Sequence, residues 1–246
     1  MFISNFHHSR KKASGHVVHV SAEQGHRFAK DVAGDFNPLH DADSKHFIVP
    51  GDLLFSLFLA YYGVSRSMRV EFQGMVAADA ELAFPALNDR QEHCELKNIC
   101  GNPSYLKVTR SGEIERDEAK VEALIRTYAA YSGENFPHVL VPLMAKNALM
   151  INTRRPLVLY QSMSLEMEDF DFDGMELRQV GADFKALGKR ARVLLMFELR
   201  NARRVIGRGS KILVAGGLRP YEEASMQELV DDYAGWRDKH LASKSA

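Results

Sequence analysis

The sequence predicts an α+β protein built from two similar halves, each an antiparallel sheet wrapped around a long apolar helix. Three observations carry this. Residues 51–63, GDLLFSLFLAYYG, are apolar on every side, which places that helix inside protein. The segment that follows alternates, with Met68, Val70 and Phe72 set against Arg69, Glu71 and Gln73, the period of a half-buried strand. The same order then recurs: Val141-Pro142 matches Val49-Pro50, and the stretch from Gly133 to His138 is a blurred echo of Gly34 to His40.

Each element has a local cause. Val17, Val18 and Val20, beside His16 and His19, begin a strand that ends at Ser21. Ser21 and Gln24 have the spacing of a capping box, so a helix starts there, with Phe28, Ala29 and Val32 as its apolar stripe. It stops before Pro38, which disfavours helical geometry at Asn37. The second helix has Asp52 as N-cap or first-turn acid and Gly63 as its exit. AELAFPA, ELKNIC and SYLKVTR read as further strands, parted by turn-rich ALNDRQ and GNPS.

In the second half, Val121, Leu124, Ile125, Tyr128 and Ala129 share a helical face. SGENFPH is expected to break that helix, and a second central helix is expected over 141–151. Strands SMSLEMEDFDF, ARVLLMFELR and KILVAGG follow, with GRGSK (207–211) read as a hairpin turn. The halves span 1–112 and 113–220. Residues 221–246, with Met226, Leu229, Val230, Tyr233 and Trp236, form a docking helix and tail.

Composition narrows the function. With 46% hydrophobic and 26% charged residues among 246, the chain is neither disordered, collagen-like nor a coiled coil. Thirty-two basic residues balance thirty-two acidic ones, so overall charge points to neither nucleic acid nor a membrane surface. Cys94 and Cys100 form neither a redox pair nor a four-thiolate site, and read as reduced thiols. His7, His8, His16 and His19 lack the companion ligands of a metal site. The first residues place charge after a short apolar start, the reverse of a signal peptide, and Leu53–Tyr62 is half a bilayer span. The expectation is a cytoplasmic protein without a metal or resident cofactor.

The most informative phrase is AGDFNPLH, Ala33 to His40. Asp35 and His40 lie on one Pro-containing turn that Asn37 can brace by bonding the local backbone. A carboxylate and an imidazole fixed this way can orient a water, take its proton and return one to a neighbouring carbon. The buried helix starts at Gly51, where free amides suit a developing oxyanion and a glycine allows close approach. A bulkier residue at Gly51 is expected to block a ligand while leaving the fold intact.

Helix, D-x-N-P-x-H turn, long buried helix and antiparallel sheet together resemble the hotdog-fold (R)-specific enoyl-CoA hydratases and MaoC-like dehydratases. The matching residues are Gly34, Asp35, Asn37, Pro38 and His40, with Asp43 as a further acid. The resemblance covers residues 20–85 in detail, and a double-hotdog plan over most of the chain. It implies that Asp35 and His40 activate water against the double bond of an acyl thioester, that Gly51 binds the thioester oxygen, and that coenzyme A enters only as part of the substrate. Two departures stand out: Pro50-Gly51 replaces the family's His-Gly, and DADSKHFIV is about seven residues short. The second half, with Glu134 and His138, lacks the Asp-x-Asn-Pro arrangement.

Charge is segregated late in the chain. Residues 166–176 hold six acids in eleven positions, and residues 178–211 hold ten Lys or Arg against Asp183 and Glu198. If the ligand is a coenzyme A thioester, Arg190, Arg192, Arg203 and Arg204 are candidates for its phosphates. Otherwise they neutralise the acids across the sheet. The rival function is a non-catalytic hotdog domain that binds an acyl ligand or a protein partner; a homodimer fits either.

Overall fold

A computed structural model describes residues 1–202 and 204–244. Its elements run β1 (His8–Lys12), β2 (Gly15–His19), α1 (Ala22–Arg27), α2 (Gly51–Tyr62), β3 (Val64–Phe72), β4 (Leu82–Pro85), β5 (His93–Asn98) and β6 (Ser104–Glu115). Then come α3 (Glu118–Gly133), α4 (Val141–Lys146), β7 (Leu149–Met150), β8 (Val158–Met167), β9 (Glu176–Leu187), β10 (Arg190–Asn201), β11 (Arg204–Gly216), β12 (Arg219–Pro220) and α5 (Glu223–Lys244).

Ten strands form one sheet in the order β1-β2-β4-β5-β6-β3-β8-β11-β10-β9, every neighbouring pair antiparallel. β3 pairs with β8, from Ser67 opposite Glu166 to Glu71 opposite Ser162, and joins the strands of residues 8–115 to those of residues 158–216. Leu53 to Leu59 of α2 are all buried, as its unbroken apolar surface requires. Two apolar clusters result. The larger surrounds α2 and α3; the smaller gathers Leu140, Ile151, Val193, Leu195, Leu213 and Leu229. Among the described residues no helix is long and apolar enough to cross a membrane.

Local expectations fare unevenly. Ser21 and Gln24 close the capping box as the spacing requires. α1 continues as a wider turn over Phe28–Ala33 and stops at Gly34, whose φ of 68° is the left-handed region that glycine tolerates. SGENFPH ends α3 at Gly133, as expected. The chain passes from α3 through a wide turn at Phe136–Leu140 into α4, because both Pro137 and Pro142 fall in the first turn of a helical segment, where no amide is needed. The central helix expected over 141–151 is not found: α4 has six residues with Met144 alone buried, and 149–150 leave to pair with β12.

GRGSK is not a turn but the middle of β11. Its glycines serve packing: a Cβ at Gly209 would sit 2.3 Å from Cζ of Phe197. β9 has no counterpart among the expected strands. It is the sheet edge, largely exposed, so it lacks the apolar alternation that marks a half-buried strand.

Candidate functional site

A cavity of about 400 Å³ opens where the two apolar clusters part. The D-x-N-P-x-H turn forms one wall as a chain of short-range bonds. Asp35 Oδ1 accepts the Asn37 amide at 2.9 Å, and Asn37 Oδ1 accepts the Leu39 amide at 3.1 Å, opening a short helical turn at Pro38–His40. Lys30, with a side chain only 4% exposed, donates to the Asn37 carbonyl and pairs with Asp41 at 2.9 Å. Asp41 therefore anchors the loop, whereas Asp43 is exposed.

His40 Nδ1 lies 2.8 Å from the carbonyl oxygen of Ile48. A carbonyl can only accept, so Nδ1 carries the proton, and Nε2 of the neutral ring presents a lone pair. Nε2 faces Asp35 Oδ2 at 3.6 Å, too long for a direct hydrogen bond and short enough for one small group to touch both. The structure thus places Asp35, Asn37, His40 and Gly51 in the wall of one cavity.

Gly51 opens α2, where the first amides have no partner within the helix. Its hydrogen is also required by packing: a Cβ would stand 2.6 Å from Cδ2 of Tyr160 and 3.2 Å from Cε1 of Phe72. A bulky residue there would displace Tyr160, so the expectation of an intact fold does not hold at this position.

Beside Gly51 lies a buried polar cluster. Asp52 Oδ2 accepts from Ser132 Oγ at 2.5 Å and from Tyr160 Oη at 2.7 Å. Lys211 Nζ sits 3.5 Å from Asp52 Oδ1, donates to Ser132 Oγ, and lies 3.5 Å from the Tyr160 ring centre. Asp52, Ser132 and Tyr160 line the cavity, with Lys211 behind them at 1% exposure. Burial lowers the Lys211 ammonium to about pKa 8, against the partial rescue of Asp52.

That shift has a consequence for stability. Between about pH 8 and an ordinary lysine value of 10.5, the unfolded chain binds more protons at Lys211 than the folded chain does. The penalty is complete below the lower value and fades as pH rises through this window. Relative to Lys211→Met, the wild type should therefore gain on the order of 2 kcal/mol from pH 8 to pH 10 in urea unfolding. A difference that stays constant or falls would contradict it.

The last helix completes the cavity. Leu229, Tyr233 and Trp236 of α5 line it. Tyr233 Oη accepts the Phe36 amide at 2.9 Å and lies 3.3 Å from both Asp35 Oδ1 and the Gly133 carbonyl. Burial raises its phenol well above the ordinary tyrosine value, so it stays protonated. Gly133 packs backbone to backbone on the motif loop, where a Cβ would fall 1.8 Å from the Ala33 carbonyl oxygen. Asn135 also lines the cavity, is 3% exposed, and has neither carboxamide atom hydrogen bonded among the described residues.

The arginines lie elsewhere. Arg190 and Arg192 are exposed on β10, on the opposite face from Ala191 and Val193, which pack with the cavity residue Leu213. Arg204 is bound to Asp169 and to the Asp171 carbonyl, and Arg208 to Glu168. None of these lines the cavity. Arg203 lies outside the described residues. The histidines of the first strands are engaged locally: His7 bonds Tyr61 at 3.1 Å, and His8 packs on His19.

A family model described as protein of unknown function, DUF3581, matches residues 1–224. The chain belongs to this family. No curated protein matches it. Among solved structures, a conserved protein of unknown function with hot dog fold from Alicyclobacillus acidocaldarius is similar at 11% identity and TM-score 0.54, over 90% of this chain and 99% of that one. At that identity the likeness is one of fold: this family member is a hotdog-fold protein. An acyl-CoA thioesterase II from Mycobacterium marinum (10% identity, TM-score 0.41, 91% and 99% covered) and a MaoC-like dehydratase (9%, 0.42, 86% and 99%) match more loosely.

The sequence reading missed Ser132, Tyr160, Lys211 and Tyr233 as cavity-side groups. The available signal was Lys211 itself, a charge set at an inward position between Ile206 and Leu213 on a strand.

Proposed function

We propose that the chain acts on an acyl thioester, with Asp35 and His40 adding water to, or removing it from, the double bond of a 2-enoyl group. The observation that supports this is the 3.6 Å gap between Asp35 Oδ2 and His40 Nε2, both accepting atoms at the edge of one cavity. A water in that gap can give one hydrogen to each. Its oxygen adds to C3, the released proton passes to C2, and the charge that develops on the thioester oxygen meets the Gly51 amide. Leu54, Leu140, Ile151, Val158 and Leu213 give the acyl chain an apolar wall.

Among the described residues no Lys or Arg lines the cavity, so a coenzyme A diphosphate is expected to remain outside it. Cys94 is a buried free thiol that burial raises to about pKa 11, and Cys100 is an exposed free thiol. Both suit a reducing compartment, and we place the protein in the cytoplasm.

Wild type, Asp35→Asn and His40→Ala should be compared on a panel of short-chain trans-2-enoyl-CoA thioesters. The expected result is wild-type turnover, with kcat/KM at least about 100-fold lower in each variant. Equal rates in all three would remove Asp35 and His40 from the chemistry. Thioester binding by wild type without turnover would favour the non-catalytic acyl-binding reading.

A further inference from the structure

The buried cluster beside Gly51 has the parts of a second chemistry. A side-chain nucleophile becomes active when a base lies within hydrogen-bond reach and a third group orients that base. Ser132 Oγ receives a hydrogen bond from Lys211 Nζ and gives its own hydrogen to Asp52 Oδ2 at 2.5 Å, and Lys211 is held against Asp52 at 3.5 Å. Tyr160 Oη, 2.5 Å from Ser132 Oγ, fixes the hydroxyl from the sheet side. The first turn of α2, a helix of 12 residues, begins at Gly51 beside this hydroxyl's partner Asp52, and its unpaired amides suit a tetrahedral oxyanion. Nucleophile, orienting carboxylate and the start of α2 therefore border one cavity, with the base, Lys211, directly behind Ser132.

We propose that Ser132 is an acyl-accepting nucleophile with Lys211 as its base, giving the protein an ester- or thioester-hydrolysing activity separate from the hydration assigned to Asp35 and His40. In the first step the Ser132 Oγ–acyl bond forms and the acyl–sulfur or acyl–oxygen bond breaks. Once Lys211 is neutral, the serine hydrogen turns from Asp52 Oδ2 to the amine, and the proton passes from there to the departing thiolate or alkoxide. In the second step water adds to the acyl-serine carbonyl, giving its proton to Lys211. Collapse releases the carboxylic acid and restores the serine hydroxyl, so ester and water yield acid and thiol or alcohol.

The charge environment of Lys211 comes from every side. Asp52 belongs to α2, Tyr128 and Ser132 to α3, Tyr160 to β8, and Asp35 to the motif loop. Among the described residues the acidic neighbours of Lys211 are Asp52 and Asp35, and burial raises the phenols of Tyr128 and Tyr160 well above the ordinary value. Deprotonation of Lys211 is thus the event in this group that frees a base as the solution becomes alkaline.

The test uses diisopropyl fluorophosphate on the full-length protein, where Oγ displaces fluoride and forms a bond to phosphorus. Intact and peptide mass spectrometry should show one adduct, on Ser132. Its rate of formation should climb about tenfold or more between pH 6 and pH 9, and Ser132→Ala should show none. Wild-type protein that stays unmodified at Ser132 at pH 9, or is modified only elsewhere, overturns the proposal. So does an adduct whose rate is flat with pH. Because the label reads Ser132 on the wild type, the result stands even if a variant folds poorly. It uses no enoyl thioester, so a protein without hydratase activity can still pass it, and an active hydratase can fail it.

Discussion

Lys211→Met is expected to lower the free energy of unfolding by about 3–5 kcal/mol, because it strands the Asp52 carboxylate in the interior. Asp52 is 3% exposed and holds Lys211 as its cationic partner, with Ser132 and Tyr160 as its other donors. Two hydroxyls can solvate a carboxylate but cannot neutralise it. The double variant Asp52→Leu with Lys211→Met removes both charges and should recover much of the loss, since a paired buried charge contributes little net stability over apolar packing. Urea unfolding of wild type, single and double variants forms the cycle. A single variant as stable as wild type would mean that Asp52 is neutral in the folded protein.

Gly133→Ala should be nearly as damaging, with a loss of about 3 kcal/mol or more from overpacking. The added carbon falls 1.8 Å from the Ala33 carbonyl oxygen and 3.0 Å from the Asp35 amide nitrogen, and both are backbone atoms that no rotamer change can clear. Either α3 or the motif loop must move, which pulls Tyr233 from the Gly133 carbonyl and from Asp35. Melting of Gly133→Ala in urea checks the energy, and the near-ultraviolet dichroism of the Tyr233 and Trp236 region checks the displacement. A variant within about 0.5 kcal/mol of wild type would show that the contact between α3 and the loop is slack.

Both residues show where reading the sequence succeeds and where it stops. Asp35, Asn37, Pro38 and His40 were legible because the bonds that shape their turn, Asp35 to the Asn37 amide and Asn37 to the Leu39 amide, lie within six consecutive residues. α2 was legible because its burial is written all around its surface. The cluster at Asp52 was not, since its members stand 80, 108 and 159 residues away along the chain, and only the β8–β11 pairing and the α2–α3 contact bring them together. Gly133 reads locally as the C-terminal residue of a helix, and the reason for it lies across the interface in Ala33. The arginines misled for a related cause: a run of like charge marks a sheet's outer face as readily as a ligand site.

The docking of α5 also bears on when the site comes into being. Tyr233 reaches Phe36 and Gly133 across sequence separations of 197 and 100 residues, among the longest closures in the molecule. Contacts of such separation must wait for the chain between them to be ordered. Asp35 therefore gains Tyr233 as a neighbour only once the long stretch of chain between them is ordered. One wall of the cavity is thus supplied by α5, so the cavity takes its shape from the assembled chain and not from the motif loop alone.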